Sequence, residues 1–232
     1  MVADATVVDC ATAGTREVNQ RLRALISGGG SATVVNPGAR HNIGVALLER
    51  GTVVVRGSAG YYCAGMNDGA TVEITGSAGW GLAEGMLSGT VVVDGNAGNG
   101  AAASIRGGTV VVRGDCAARA AVNMKGGMLL VGGDVGYMSA FMMQRGTLVI
   151  CGNAGEALAD SMYEGVVYVG GEIASLGNDA VVSDATDEER SAIHASLDQH
   201  HIARPKALRK IVAGRKLWNF EKHELATWRE AL

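Results

Sequence analysis

From residue 52 onward, short runs of alternating character return every 19 residues. They read Thr52-Val-Val-Val-Arg56, Thr71-Val-Glu-Ile-Thr75, Thr90-Val-Val-Val-Asp94 and Thr109-Val-Val-Val-Arg113, then Met128-Leu-Leu-Val-Gly132, Thr147-Leu-Val-Ile-Cys151 and Val166-Val-Tyr-Val-Gly170. β-Branched residues dominate them, as a pleated surface prefers. Two apolar columns follow: Val34, Val53, Val72, Val91, Val110, Leu129, Leu148 and Val167, and Val55, Ile74, Val93, Val112, Val131, Ile150 and Val169. Alternate residues of a strand share a face, so both columns are predicted to point into one interior. A third column, Met86, Ile105, Met124, Met143 and Met162, is predicted to fill that interior from the return path.

Glycine keeps the same period, at 38, 57, 76, 95, 114, 133, 152 and 171. Eight copies without insertion or deletion predict one structural unit stacked on itself in register. The fold class predicted is all-β: a single-stranded right-handed parallel β-helix of about eight 19-residue coils, about 38 Å long.

The ends break the period. Residues 15–26 place Val18, Leu22, Leu25 and Ile26 on one helical face, predicting a helix that caps the open ladder. Asp187-Glu-Glu-Arg190 predicts a second helix start, with acids where the helix dipole favours them. Beyond it Arg204, Lys206, Arg209, Lys210, Arg215 and Lys216 form a basic tail, with Trp218, Phe220 and Trp228 near its end. The domain reading is therefore 1–30 N-terminal segment and capping helix, 31–180 β-helix, and 181–232 helical basic tail.

The residue between the two strand columns should face outward, yet it reads Val35, Val54, Glu73, Val92, Val111, Leu130, Val149 and Tyr168. One charge in eight positions is too few for a solvated sheet face. Three readings stay open: valine simply suits strands, the terminal helices fold back over this stripe, or a partner subunit covers it, with the basic tail as the charged rim of the same or a neighbouring contact.

Charge and candidate chemistry narrow the function. A net charge of −3 gives no general attraction to nucleic acid or anionic membrane. The start Met-Val-Ala-Asp lacks a signal-peptide pattern, and no apolar run of membrane-spanning length occurs; the expected location is cytoplasmic. Cys10, Cys63, Cys116 and Cys151 form no C-x-x-C pair, so zinc and cluster ligation are not signalled, and Cys116, at the repeat position of Ala59, Ala78, Ala97 and Ala154, reads as a small buried residue. Gly95-Asn-Ala-Gly-Asn-Gly100 imitates a nucleotide loop but is followed by another β-coil instead of a helix. Asp115 and Asp134 stack at adjacent coils, too little oxygen for a calcium ladder. Sugar cleavage along one face would need carboxylates and aromatics, and aromatics make up 4% of the chain. His41 stands apart from His194, His200, His201 and His223, away from any cysteine or serine elbow. An N-terminal cysteine nucleophile would need cysteine where Val2 stands. The threonine row at 33, 52, 71, 90, 109 and 147 is a single file, read as packing. No catalytic, cofactor-binding or metal-binding residue is assigned in this chain.

The phrases Gly76-Ser-Ala-Gly-Trp-Gly-Leu-Ala-Glu-Gly85 and Gly57-Ser-Ala-Gly-Tyr-Tyr-Cys-Ala-Gly65 resemble the GXGXG β-helix domain of the glutamate synthase family. Gly14-Thr-Arg-Glu-Val-Asn-Gln-Arg-Leu22 is similar to that domain's approach segment, and Gly107-Gly-Thr-Val-Val-Val-Arg-Gly114 to its strand phrase. The resemblance covers residues 9–180; with the tail Leu208–Phe220, the free-standing subunit of N-methylglutamate synthase-like complexes is the nearest case. It implies a non-catalytic assembly subunit. The implied partners are a glutaminase-type amidotransferase subunit and an FMN-binding glutamate synthase-like subunit with an iron–sulfur cluster; no cofactor is expected in this chain. The β-helix subunit of formylmethanofuran dehydrogenase or formyltransferase–hydrolase complexes resembles the same repeat and stays open as an alternative, as does a stand-alone scaffold.

Overall fold

The computed structural model describes residues 6–215. Strand β1 (Thr6–Asp9) precedes helix α1 (Thr15–Ile26), and eight strands follow: β2 (Ser31–Val35), β3 (Thr52–Val55), β4 (Asp68–Ile74), β5 (Ser88–Val93), β6 (Thr109–Val112), β7 (Lys125–Val131), β8 (Arg145–Ile150) and β9 (Val166–Val169). From β1 to β9 each strand pairs in parallel with the next in sequence. The chain rises one rung per circuit, a parallel β-solenoid of about seven turns between β2 and β9. A second line of contact runs up the return path as single-residue bridges from Ala59 through Ala78, Ala97, Cys116, Val135 and Ala154 to Ile173.

The helix falls on the predicted span, but it does not close the ladder. β1 lies before it and pairs with β2, so β1 is the terminal rung and α1 packs beside the first rungs. The first turn also departs from the 19-residue period. Ser31 pairs with Thr52 and Val34 with Val55, a step of 21 residues, whereas Thr52, Thr71, Thr90 and Thr109 follow at 19. Val34 therefore belongs with Val55, and Ala32 with Val53, which corrects the column read from spacing alone. The middle of this longer turn is held by α1 and the loop before it. Asn19 Nδ2 donates to the Asn42 carbonyl (2.7 Å), and its Oδ1 accepts from Gly44 N (2.8 Å). Arg40 donates to the carbonyls of Cys10 and Ala13.

The strand columns and Met86, Ile105, Met124, Met143 and Met162 line the interior, each at most 2% exposed. Burying one such side chain contributes about 1.5–3 kcal/mol. Asn67 takes the methionine position one turn below Met86; its Nδ2 donates to Ala70 O (2.8 Å) and Ser88 O (3.2 Å).

The glycine period has a packing cause. On the residue after each glycine, a side-chain oxygen accepts the backbone N–H of its counterpart one turn later: Ser58 Oγ from Ser77, Ser77 Oγ from Asn96, Asn96 Oδ1 from Asp115, Asp115 Oδ1 from Asp134, Asp134 Oδ1 from Asn153 and Asn153 Oδ1 from Glu172, over 2.6–3.1 Å. The accepting oxygen occupies the space that a Cβ on the next glycine would need. A Cβ on Gly152 would also lie 2.7 Å from the Gly133 carbonyl carbon and oxygen.

After β9 the chain builds a different end. Strands β10 (Ala180–Ser183) and β11 (Arg209–Ala213) flank helix α2 (Asp187–Gln199), and β11 lies antiparallel between β9 and β10. The 181–232 segment is thus not simply helical; Arg209 and Lys210 are strand residues. Lys216, Trp218, Phe220, His223 and Trp228 lie outside the described residues.

Helix α2 crosses the outer face of the sheet and settles the apolar stripe. Val111, Leu130, Val149 and Tyr168 are buried with Ala185, Ile193, Leu197, Ile202 and Leu208. The chain itself covers its upper turns, so the stripe there is not a partner surface. In the first turn Thr33, not Val35, stands at this position, since it pairs with Val54. Glu73 is exposed lower down, below the turns that α2 covers. Three of the basic residues are likewise used within the chain: Arg204 pairs with Asp198, Arg209 with Glu172 (3.6 Å) and Lys210 with Glu189 (2.6 Å).

Glu189 ties α2 down. Thr186 Oγ1 accepts from Glu189 N (3.2 Å) while Glu189 Oε2 accepts from Thr186 N (2.9 Å), a reciprocal cap. The hydrogen bond from Lys210, reinforced by Thr186, holds the Glu189 carboxyl below the ordinary glutamate range. A depressed folded pKa contributes stability above the unfolded value, about 4.3, and loses it as pH falls through the folded value. Acidification below about pH 4 is therefore expected to weaken α2 docking, read from the methyl resonances of Ile193 and Leu197. Glu189→Gln should remove that step; an identical acid transition in the variant would assign it to other carboxylates.

Candidate functional site

The third side of the solenoid has an unusual backbone. In each turn three alternate residues take positive φ, as at Tyr62, Ala64 and Met66 (φ 54–60°) or Arg119, Ala121 and Asn123 (φ 53–61°). The middle position is Ala64, Ala83, Ala102, Ala121, Ala140 and Ala159 in successive turns, fully buried each time. Left-handed backbone costs an L-residue about 1–2 kcal/mol. Stacking offsets this by giving the polar groups partners in neighbouring turns. Tyr62 N donates to Trp80 O (2.7 Å) and Met66 N to Glu84 O (2.8 Å) in the turn above, while Ala64 N donates to Ile43 O (2.9 Å) in the turn below. A backbone bonded in both directions makes a rigid platform.

That platform carries exposed apolar side chains over the first three turns. Leu48 is 64% exposed, Met66 54%, Trp80 52% and Tyr62 48%. His41, Tyr61 and Trp80 form a ring stack, with centroids 4.3 and 5.1 Å apart and planes within 16° of parallel. His41 Nδ1 accepts from Tyr61 N (2.8 Å), which assigns its proton to Nε2. The rings need glycine above them: a Cβ on Gly79 would lie 2.7 Å from Tyr61 Cδ1, and one on Gly98 2.5 Å from Trp80 Cδ1. Beside the stack, a cavity of about 290 Å³ is bounded by Asn42, Val45, Tyr62, Met66, Glu84 and Ser104.

The residues weighed for chemistry are dispersed. Asp115 and Asp134 are acceptors in the side-chain ladder, and Met86, Met124, Met143 and Met162 are core. Cys10, Cys63 and Cys116 are buried. Burial pushes the Cys63 thiol up to about 12 and raises Cys116 as well, so neither offers a thiolate near neutrality. Gly95–Gly100 leads into the left-handed segment of its own turn, not into a helix. His200 lies beside Arg113, whose Nε donates to its carbonyl (3.4 Å). Among the described residues, no three His, Cys, Asp or Glu side chains converge as a metal site, and no helix is long and apolar enough to cross a membrane.

The aromatic stack and the cavity escaped the sequence reading. Tyr61 and Trp80 do stand 19 residues apart, but His41 joins them only through the longer first turn.

No family model matches the chain. It is similar to Protein GlxC of Rhizobium meliloti (strain 1021), with 45% identity over 65 residues, 27% of this chain. The match covers 28% of that protein's length.

Proposed function

We propose that the chain is a non-catalytic assembly subunit of a glutamate-synthase-type complex, holding a glutaminase-type amidotransferase subunit and an FMN-binding subunit with an iron–sulfur cluster in fixed relation. The observation that carries this reading is the rigid left-handed face with its exposed Tyr62, Met66 and Trp80, an apolar surface that the described chain leaves uncovered. The glycine phrases shared with the GXGXG domain support the kind of complex, and the parallel solenoid agrees with it. Complexes of N-methylglutamate synthase type are the specific form favoured by the sequence resemblance.

The chain produced alone is expected to be colourless, whereas the assembly purified from its source cells should be yellow-brown, with stoichiometric flavin, iron and sulfide. Flavin bound to the isolated chain would refute the non-catalytic role. A purified assembly with a formyltransferase subunit in place of a flavoprotein would move the chain to the formylmethanofuran-type alternative.

A further inference from the structure

We propose, on the basis of the assembly reading above, that the cavity beside Tyr62 receives an arginine side chain of a partner subunit. Tyr62 and Glu84 meet over Gly81. A Cβ built there would lie 2.6 Å from Tyr62 Cδ1 and 3.0 Å from Glu84 Oε2, so the ring edge and the carboxylate flank the same open space. Val45 and Met66 supply apolar wall to the same cavity, which measures about 290 Å³. Other acids nearby are engaged: Asp68 Oδ1 accepts from Ser88 Oγ (2.7 Å) and Glu49 Oε2 from Gly28 N (3.2 Å). The Glu84 side chain is exposed at the cavity rim, and its carboxylate has neither an ion pair nor a hydrogen bond among the described residues.

A cavity with an apolar wall, one ring and one unpaired carboxylate selects a cation on an aliphatic stem. The stem would run along Val45 and Met66. The cation would gain from the ring quadrupole of Tyr62 and from a charge-assisted hydrogen bond to Glu84. Guanidinium suits the place better than ammonium because it is planar, more weakly hydrated and able to stack. The surroundings point to a protein rather than a small ligand. Leu48, Trp80 and Leu87 stand exposed on the same turns. A free cation would leave them in water, whereas a subunit anchored through one arginine would cover them, as anchors at interfaces are surrounded by contacts that exclude water. The turn-to-turn hydrogen bonds of Tyr62 and Met66 hold the pocket in shape before binding, which lowers the ordering cost.

The test titrates the full chain, carrying methionine methyl and amide labels, with butylguanidinium, butylammonium and neutral butylurea. Butylguanidinium should give saturable shifts confined to the Met66 methyl and the amides of Gly65 and Gly85, with an affinity in the range of about 1 mM. Butylammonium should bind more weakly and butylurea not at all. Glu84→Gln should weaken guanidinium binding about fivefold, and Tyr62→Leu should remove its advantage over ammonium. Equal shifts with butylurea, binding unchanged in Glu84→Gln, or no saturable shift with butylguanidinium would each overturn the assignment. If the source-cell assembly contains the flavoprotein but survives Glu84→Lys, this pocket is refuted and the assembly role stands. If the titration succeeds but no flavoprotein is present, the assembly role fails and the cation site stands.

Discussion

A chain lacking Ala97 is expected not to reach the native solenoid. Ala97 bridges Ala78 below and Cys116 above; its N–H donates to Asp115 O (2.8 Å), and Gly98 N donates back to Ala78 O (3.0 Å). Losing one residue there moves every later strand by one position. Val110, Leu129, Leu148 and Val167, with Val112, Val131, Ile150 and Val169, would turn outward. Each buried side chain contributes about 1.5–3 kcal/mol, so the loss exceeds a typical net stability of about 5–15 kcal/mol. Deleting Gly38 is the contrasting case. It sits in the 21-residue first turn, which is two residues longer than the turns above it, so one residue can be lost there without shortening the turn below the 19-residue step. Its removal is expected to cost only about 1–2 kcal/mol. Circular dichroism and urea unfolding of both variants make the comparison. Parental unfolding of the Ala97 deletion would mean that the upper turns do not depend on one continuous register.

Gly152→Ala is expected to destabilise the protein by about 3 kcal/mol, a large effect for one methyl group. The added Cβ meets the Gly133 carbonyl 2.7 Å away and invades the place of the Asp134 carboxylate. Asp134 Oδ1 would have to leave Asn153 N, which it binds at 2.6 Å. Strain and a lost charge-assisted hydrogen bond therefore fall on the same corner. Adding Asp134→Ala to Gly152→Ala should cost much less than Asp134→Ala alone, because the first change has already broken the bond the second removes. Additive costs in this cycle would show that the ladder oxygen and the glycine act independently.

The two variants mark the boundary between what was legible in the residues and what was not. The repeat, the interior strand columns above the first turn, the methionine column and helix α1 at residues 15–26 were all readable. Each rests on local periodicity, which a strand or a helix expresses without knowledge of distant contacts. The acidic start of α2 at Asp187 was readable for the same reason.

Long-range packing decided the rest. The step from Val34 to Val55 belongs to a longer first turn that Asn19 and Arg40 grip through long-range hydrogen bonds, and a repeat of glycines cannot report that grip. The stripe from Val111 to Tyr168 was recognisably too apolar for solvent, but only folding showed α2 lying across it. β11 entered the sheet because β9 offered an open edge, although its basic residues had read as part of a helical tail. The candidate surface was the least legible part. His41, Tyr61 and Trp80 are separate residues in the chain and become one stack only when the turns are superposed. Glu84 and Tyr62, 22 positions apart, become neighbours over Gly81 for the same reason. Composition and period determined that this chain would be a stacked solenoid; the lateral contacts between turns determined which of its faces is closed by the chain itself and which is left open by the described residues.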